Sequence, residues 1–377
     1  MAGTMPRAAL VIAASVLAAT AARAQEGEPF QAPKKGGLEV EAMIRNEWTK
    51  EIFDTPTEFH DDDRWRLRLM PRITAGGNRF NVVVGGDLNY SKDDNIDPLD
   101  IGEKPRILRD NYQSRGIRLD LATASLQPTN WFKIEGGRFV MPVALTEMIW
   151  DRDLRPQGGA VRLSTGQVGD IESLHGAFVF SEGGHVFDDG KTRIMIGSAG
   201  ARLKAGMSNH LEITGSILEF KNLNELEGMI RRQNTRTPDA DRFLLHPFRV
   251  ADVVGRIQAG GNVPLQLVAD MAWNTRISEN NRGVWLAVVL GSIRVSRARL
   301  EYTYANVDKD ATVAAFATDD FFWGTGWEGH RVELGTRSGS RFTAHLIGQL
   351  QRFKDSTIEE ERDHWVKRFR VEMRLVP

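Results

Sequence analysis

The chain has 377 residues, a formal net charge of −1, 8 histidines and no cysteine. A near-neutral balance offers little to a nucleic-acid partner, and the lack of cysteine removes both a disulfide framework and a thiolate site. With a mean hydropathy of −0.34 and no apolar run after residue 24 near the roughly 18 to 20 residues of a membrane helix, a helical membrane protein is excluded, but a barrel is not.

Residues 1–24 read as a secretory signal. Arg7 precedes an apolar run from Ala8 to Ala19, and Ala22-Arg23-Ala24 supplies a small-x-small cleavage site before Gln25. Residues 25–36 are expected to be a short periplasmic segment. From residue 37 to 377 no linker or composition break divides the chain, so one domain is expected.

The rest alternates with a period of two in pieces of about ten residues, the length of a tilted membrane strand. Leu38, Val40, Ala42 and Ile44 alternate with Glu39, Glu41 and Arg45, and Trp65, Leu67 and Leu69 with Arg64, Arg66 and Arg68. Val82, Val84, Leu88 and Tyr90 oppose Asn81, Asp87 and Asn89, and Ile117, Leu119 and Leu121 oppose Arg118 and Asp120. Leu211, Ile213 and Ile217 oppose Glu212, Thr214 and Ser216, and Leu265, Leu267, Ala269, Met271 and Trp273 oppose Gln266 and Asp270. The last piece sets Phe369, Val371, Met373 and Leu375 against Arg368, Arg370, Glu372 and Arg374.

Between the pieces, short Gly-, Pro- or Asn-bearing turns alternate with long connections. The short ones are 76–78, 127–130, 165–170, 206–209, 260–263, 291–292 and 337–340. The long ones are 47–63, 91–114, 141–157, 181–191, 221–249, 274–282, 306–329 and 353–363. This rhythm predicts an all-β fold, a transmembrane antiparallel β-barrel of about 16 strands with short periplasmic turns, long extracellular loops and both termini periplasmic. Tyr90, Trp273, Trp285, Tyr302, Tyr304 and Trp365 fall at loop ends of strands with apolar-face parity, which predicts an aromatic girdle.

The Asp63-to-Leu69 Arg-alternating strand, Gly136-Gly-Arg-Phe-Val-Met-Pro142, Ile149-Trp-Asp-Arg-Asp-Leu154 followed by Pro156 and Gly158, and the Arg/Phe-alternating last strand resemble a bacterial family of outer-membrane β-barrel porins whose substrates are mostly unassigned. The resemblance spans nearly the whole mature length, and the Trp-Asp-x-Asp-Leu-x-Pro-x-Gly pattern is its most specific part. It implies a passive outer-membrane barrel. Together with its place as the third long loop, it implies that 141–157 folds inward to narrow the pore. One departure is the end: such barrels usually finish on an aromatic residue, and this chain finishes Leu375-Val376-Pro377.

Candidate pore-lining residues follow from lumen parity: Arg64, Arg66, Arg68, Arg118, Arg138, Arg368, Arg370 and Arg374. First and last strands become neighbours on closure, so several of these should share one wall. Walls of arginine favour anions, and Glu147, Asp151 and Asp153 of the inward loop are the natural opposing charges. Trp150, which looks exposed, and Pro156 are expected to shape the loop. Asp151 and Asp153 lack the further spaced oxygens of a calcium loop, so ion pairing is their expected role and no metal site is assigned. No nucleophile–histidine–acid set, His-x-x-x-His pair or phosphate-cradling glycine loop is present, so no enzyme and no cofactor are expected. The expected function is passive diffusion of small hydrophilic solutes or ions, leaning to anions. The alternative is a non-conducting structural, interaction or ligand-receptor barrel. Expected partners are outer-membrane lipid and lipopolysaccharide, the barrel assembly machinery and small solutes, with a homotrimer left open.

Overall fold

Alternating sequence becomes strand when each residue's two faces meet different surroundings, and here the surroundings are inverted relative to a water-soluble protein. The large apolar side chains of one parity are exposed, among them Leu67, Phe178, Ile213, Leu286, Tyr302, Leu350 and Phe369. The polar and charged ones of the other parity, among them Arg45, Glu47, Arg68, Asp87, Asp252, Glu301 and Arg370, are buried. An outward apolar band around a polar interior is the surface of a barrel that spans a membrane.

The computed structural model describes residues 37–377 apart from 56–57, 78, 94–114, 183–191, 207, 226–233, 238–239, 319, 322–323, 355–363 and 377. The expected signal at 1–24, the segment 25–36, most of the connection 91–114 and Pro377 therefore lie outside the described residues.

The strands are β1 (Gly37–Thr55), β2 (Glu58–Gly76), β3 (Phe80–Asp93), β4 (Arg115–Thr129), β5 (Phe132–Arg138), β6 (Gln157–Ser164), β7 (Ile171–Glu182), β8 (Arg193–Lys204) and β9 (Asn209–Lys221). After a 3-10 turn and a two-stranded ribbon of β10 (Arg236–Thr237) and β11 (Ala240–Leu244) come β12 (Arg249–Ala259), β13 (Leu265–Asn274), β14 (Arg282–Ser292), β15 (Ala298–Val307), β16 (Trp327–Ser338), β17 (Phe342–Phe353) and β18 (Val366–Leu375). All but the ribbon join in one closed antiparallel barrel of 16 strands, with β9 beside β12 and β1 beside β18. The predicted fold class and strand number are those observed. No helix of the described residues is long and apolar enough to cross a membrane.

Several expectations are corrected. The connection 47–63 is mostly strand: β1 and β2 stay paired out to Thr55 and Glu58, with irregularities after Thr49 and Phe53. Ser292 ends β14, and the turn to β15 is 293–297, tied by Ser292–Ser296 hydrogen bonds. Trp285 is not in a girdle but points inward, 4% exposed, edge-on to Phe321 at 5.5 Å. Trp150 is buried, stacked on Phe316 at 5.4 Å. Outside, Tyr302 and Tyr304 lie by His330 of β16, which in turn stacks on Trp365.

Residues 139–156 reach across the lumen. Arg155 of this segment pairs with Asp120 of β4, Asp153 with Arg68 of β2, Thr146 with Asp270 of β13 and Glu147 with Arg331 of β16, strands distributed around the wall. The turn inward starts at Gly137, whose φ of +105° and close approach to the Ala122 carbonyl oxygen exclude a side chain. Met148 lies where Gly283 of β14 leaves room; a Cβ there would meet Met148 Sδ at 2.6 Å.

Leu286 is 45% exposed near the middle of β14, and Leu290 lies closer to the turn. Leu286→Arg should destabilise the barrel in lipid vesicles by about 2–4 kcal/mol and Leu290→Arg by about 0–1 kcal/mol. Chemical unfolding followed by tryptophan fluorescence checks this, and equal costs at both depths would contradict a lipid-facing surface.

Candidate functional site

The seam between β1, β2 and β18 concentrates charge because register places like parities together: Glu47 lies opposite Arg64 on one side and Arg370 on the other, and Arg45 opposite Arg66 and Glu372. Glu47, 1% exposed, accepts Arg370 Nε at 2.6 Å and Arg64 Nε at 2.7 Å, with Arg368 Nε at 3.7 Å. Arg45 donates to Glu372 at 2.8 Å and to Asp320 at 2.8 Å, and Arg370 also reaches Asp320 at 3.0 Å. Arg68 bridges Asp87 of β3 at 2.8 Å and Asp153 at 2.9 Å. Buried charges are tolerated at this density only when each is paired, and the pairing here is dense.

A second cluster lies farther along the same wall, on β15 and β16, with only β17 between it and β18. Arg331 of β16 donates to Glu147 at 2.9 Å and to Glu301 of β15 at 2.9 Å, while Arg152 pairs with Glu147 at 2.7 Å. Glu333 binds Arg299 and His345, each at 2.9 Å. The Arg331 guanidinium also stands 5.2 Å from the Phe321 ring centroid and 5.5 Å from that of Trp285, a desolvated cation–π contact.

Asp320 belongs to a second inward segment, 308–326, within the connection 306–329 that is expected from the sequence to be an extracellular loop. Its backbone is stitched to 139–156: Asp151 N donates to Phe316 O at 2.8 Å, Thr318 N to Glu147 O at 2.9 Å and Thr312 Oγ1 to Met148 O at 3.2 Å. The connection between β9 and β12 holds it from the other side. Asn234, 2% exposed, donates to the Lys309 and Thr312 carbonyls at 2.7 and 2.9 Å and accepts from Ala314 N at 2.8 Å.

Together the segments bury an apolar cluster inside the long-loop half of the barrel. Ile149, Trp150, Leu154, Val313, Phe316 and Phe321 pack with inward residues of the wall such as Ile196, Phe220, Val250, Trp285, Val307 and Trp327. The lumen face is polar toward the short turns and apolar toward the loops, as β15 illustrates with Arg299, Glu301 and Thr303 followed by Ala305 and Val307.

The sequence-derived residues are thus distributed as follows. Arg64, Arg66, Arg68, Arg368 and Arg370 lie together at the seam, and Arg374 lies nearer the short turns, paired with Glu372 and, at 3.4 Å, with Glu41. Glu147 faces Arg331 rather than the seam, Asp153 faces Arg68, and Asp151 accepts Asp153 N at 2.8 Å, shaping the loop. Pro156 is buried at the loop's exit, its carbonyl accepting Phe139 N. Arg138 is a correction: it shares the parity of outward Ile134, not of buried Glu135, and it donates to Leu119 O and Gln157 Oε1. Arg118 is opposite Asp87 in the ladder, but its side chain lies outside the described residues. Sequence reasoning missed Arg45, Glu47, Asp320, Glu301 and Arg331. Lumen parity signalled all of these but Asp320, which sits in a stretch without period.

Burial works against ionisation of Asp320, yet Arg370, Arg45 and Arg66 hold its carboxyl well below the usual carboxylate range. Asp153, half-buried, is likewise held below that range by Arg68 and Arg155 against the cost of desolvation. The Glu147 carboxylate raises Arg152.

Comparison with solved structures finds similarity to OprB of Pseudomonas putida at high pH, with 10% identity over 91% of this chain and 94% of that one and a TM-score of 0.57. It also finds similarity to OmpF of Salmonella typhi in complex with daunomycin, with 13% identity over 91% and 97% and a TM-score of 0.52. At such identities the likeness speaks for the fold, a porin-like closed barrel. No family model matches the chain, and no curated protein matches it in sequence.

Glu47→Gln leaves Arg64, Arg368 and Arg370 around a neutral group and should cost about 3–5 kcal/mol of unfolding free energy, whereas Arg374→Gln, at a half-exposed pair, should cost about 0–1 kcal/mol. Urea unfolding in vesicles measures both. Because the Asp320 and Asp153 carboxyls are depressed in the folded state, their contribution is complete above the ordinary Asp value of about 3.9 and is lost as pH falls below it. Hydrogen exchange of 308–326, corrected for its intrinsic pH dependence, should therefore stay slow through mildly acidic pH and rise only at lower pH. A rise between pH 7 and 5 would contradict the arginine tether.

Proposed function

We propose that this chain is a bacterial outer-membrane porin that passes small hydrophilic solutes or ions by passive diffusion and belongs to the substrate-unassigned porin family its motifs resemble. The observation that carries the reading is the charged seam of Arg45, Arg64, Arg66, Arg68, Arg368 and Arg370, set in the lumen of a closed membrane barrel and met by acids from two inward segments. Fixed opposing charge across a narrowed lumen sorts solutes by charge and size without a cofactor or energy source. The arginines outnumber the acids that reach this seam, so the preference leans to anions.

In this reading residues 1–24 direct export, the long connections face outward from the cell and the short turns face the periplasm. Lipid and lipopolysaccharide cover the apolar band, the barrel assembly machinery inserts the chain, and a homotrimer is the assembly to test. No step calls for an enzyme's chemistry.

A second reading, a non-conducting structural, interaction or ligand-receptor barrel, is favoured by one observation: the apolar packing of 139–156 against 308–326 and the wall fills the long-loop half with tightly buried side chains.

Planar-bilayer recordings distinguish the two. A porin should give stable ohmic steps that widen when residues 141–155 are deleted, and its reversal potential in a salt gradient should favour anions. Replacing Arg66, Arg68, Arg368 and Arg370 by Gln should shift that potential toward cations; no shift would remove the selectivity claim. A folded, heat-modifiable barrel with no conductance would favour the second reading.

A further inference from the structure

Away from the arginine seam, β12 and β13 bury two carboxyl groups that neither cluster uses. Asp252 lies opposite Ala272 in the ladder and Asp270 opposite Val254, so the two acids are diagonal neighbours on the lumen face. Their carboxyl groups come within hydrogen-bonding reach of each other. Asp252 is 1% exposed and Asp270 0%. On the other side of Asp252, Ser216 of β9 is its direct cross-strand partner, 4% exposed.

The oxygens around this point are short of donors from outside their own group. Beyond the contacts that Asp252, Asp270 and Ser216 make with one another, no hydrogen bond among the described residues reaches either Asp252 oxygen, Asp270 Oδ1 or Ser216 Oγ. Asp270 Oδ2 accepts the hydroxyl of Thr146 from the inward segment 139–156. One cation is near: Arg256, on the same face of β12, is drawn toward Glu212 at 3.5 Å and the Ala144 carbonyl at 3.4 Å. It balances at most one of the two carboxylates, and Glu212 competes for it. Adjacent carboxylates removed from water without donors are too costly to persist as they stand. Something positive must be shared between them.

We propose that Asp252, Asp270 and Ser216, closed over by Thr146, form a binding site for a hard divalent cation of calcium's class. Carboxylate and hydroxyl oxygens converging without regular geometry suit calcium, which accepts six to eight oxygens in flexible arrangements, better than magnesium, which demands a near-octahedral shell and releases water reluctantly. The site differs from the Asp151–Asp153 pair, whose oxygens serve Arg68 and a backbone amide. A cation here would clamp the inward segment, through Thr146, to the wall opposite the arginine seam. This holds whether or not the barrel conducts.

The test uses the folded full-length chain in detergent, stripped with EGTA and titrated with calcium chloride or magnesium chloride near neutral pH by calorimetry. A saturable calcium site is expected, with magnesium weaker and with Asp252→Asn and Asp270→Asn each lowering calcium affinity on the order of tenfold or more. Calcium should also slow hydrogen exchange at residues 143–149 in the parent chain but not in the double variant. Two results would overturn the proposal. Calcium binding unchanged in the double variant would place the ion elsewhere. No calcium binding by the parent chain, with a protonated-carboxyl infrared band that Asp252→Asn abolishes, would show that the two acids share a proton instead. If a variant fails to fold, a parent chain that binds no calcium, or that binds it without slowed exchange at 143–149, overturns the proposal equally.

Discussion

Everything in this molecule depends on closing the sheet. In hydrocarbon an unpaired backbone amide or carbonyl has no water to turn to, so a membrane sheet is stable only when its first and last strands meet. β1 and β18 do so from Ala42–Leu375 to Lys50–Lys367. Closure then sorts the side chains: one parity of every strand faces lipid, the other an enclosed space whose contents must satisfy one another. The outward apolar band and the inward charge are two results of one constraint.

The enclosed space divides into regions. At the seam and, past β17, along β15 and β16, arginines and acids neutralise each other in chains of two and three, and the inward segments contribute the acids that complete them. Toward the long loops the wall turns apolar, and the same segments contribute Ile149, Trp150 and Phe316. Residues 139–156 and 308–326 are therefore amphipathic in their own irregular way, matching a charged lower wall and an apolar upper one. This double match fixes their depth in the lumen.

The barrel was legible in the sequence because a period of two with lipid on one side is a strong constraint on every strand, and the turn rhythm counted the strands. Seam residues such as Arg66, Arg68, Arg368 and Arg370 were legible for the same reason. Parity failed where the wall stops alternating between apolar and polar: Trp285 reads as a girdle residue because its neighbours are also apolar, but it points inward at the apolar end of the lumen. It failed again at Arg138, beside the positive φ of Gly137. Asp320 and Asn234 were invisible because their roles arise from loop-to-loop contacts, for which a single sequence carries no periodic signal. Trp150 looked exposed because its burial depends on Phe316, 166 positions away in the chain.

The pairing of Glu47 also bears on how the chain comes together. Arg370, one of its closest partners, is 323 residues downstream, on the last strand to be made. Until that strand docks, Glu47 has Arg64 of the adjoining hairpin but not Arg368 or Arg370, and β1 keeps an open edge. The first hairpin therefore waits, half neutralised, for the end of the chain. Joining the edges and settling the charge are the same event, which makes the final step of assembly cooperative and opposes closure onto any strand that lacks arginines at those two positions.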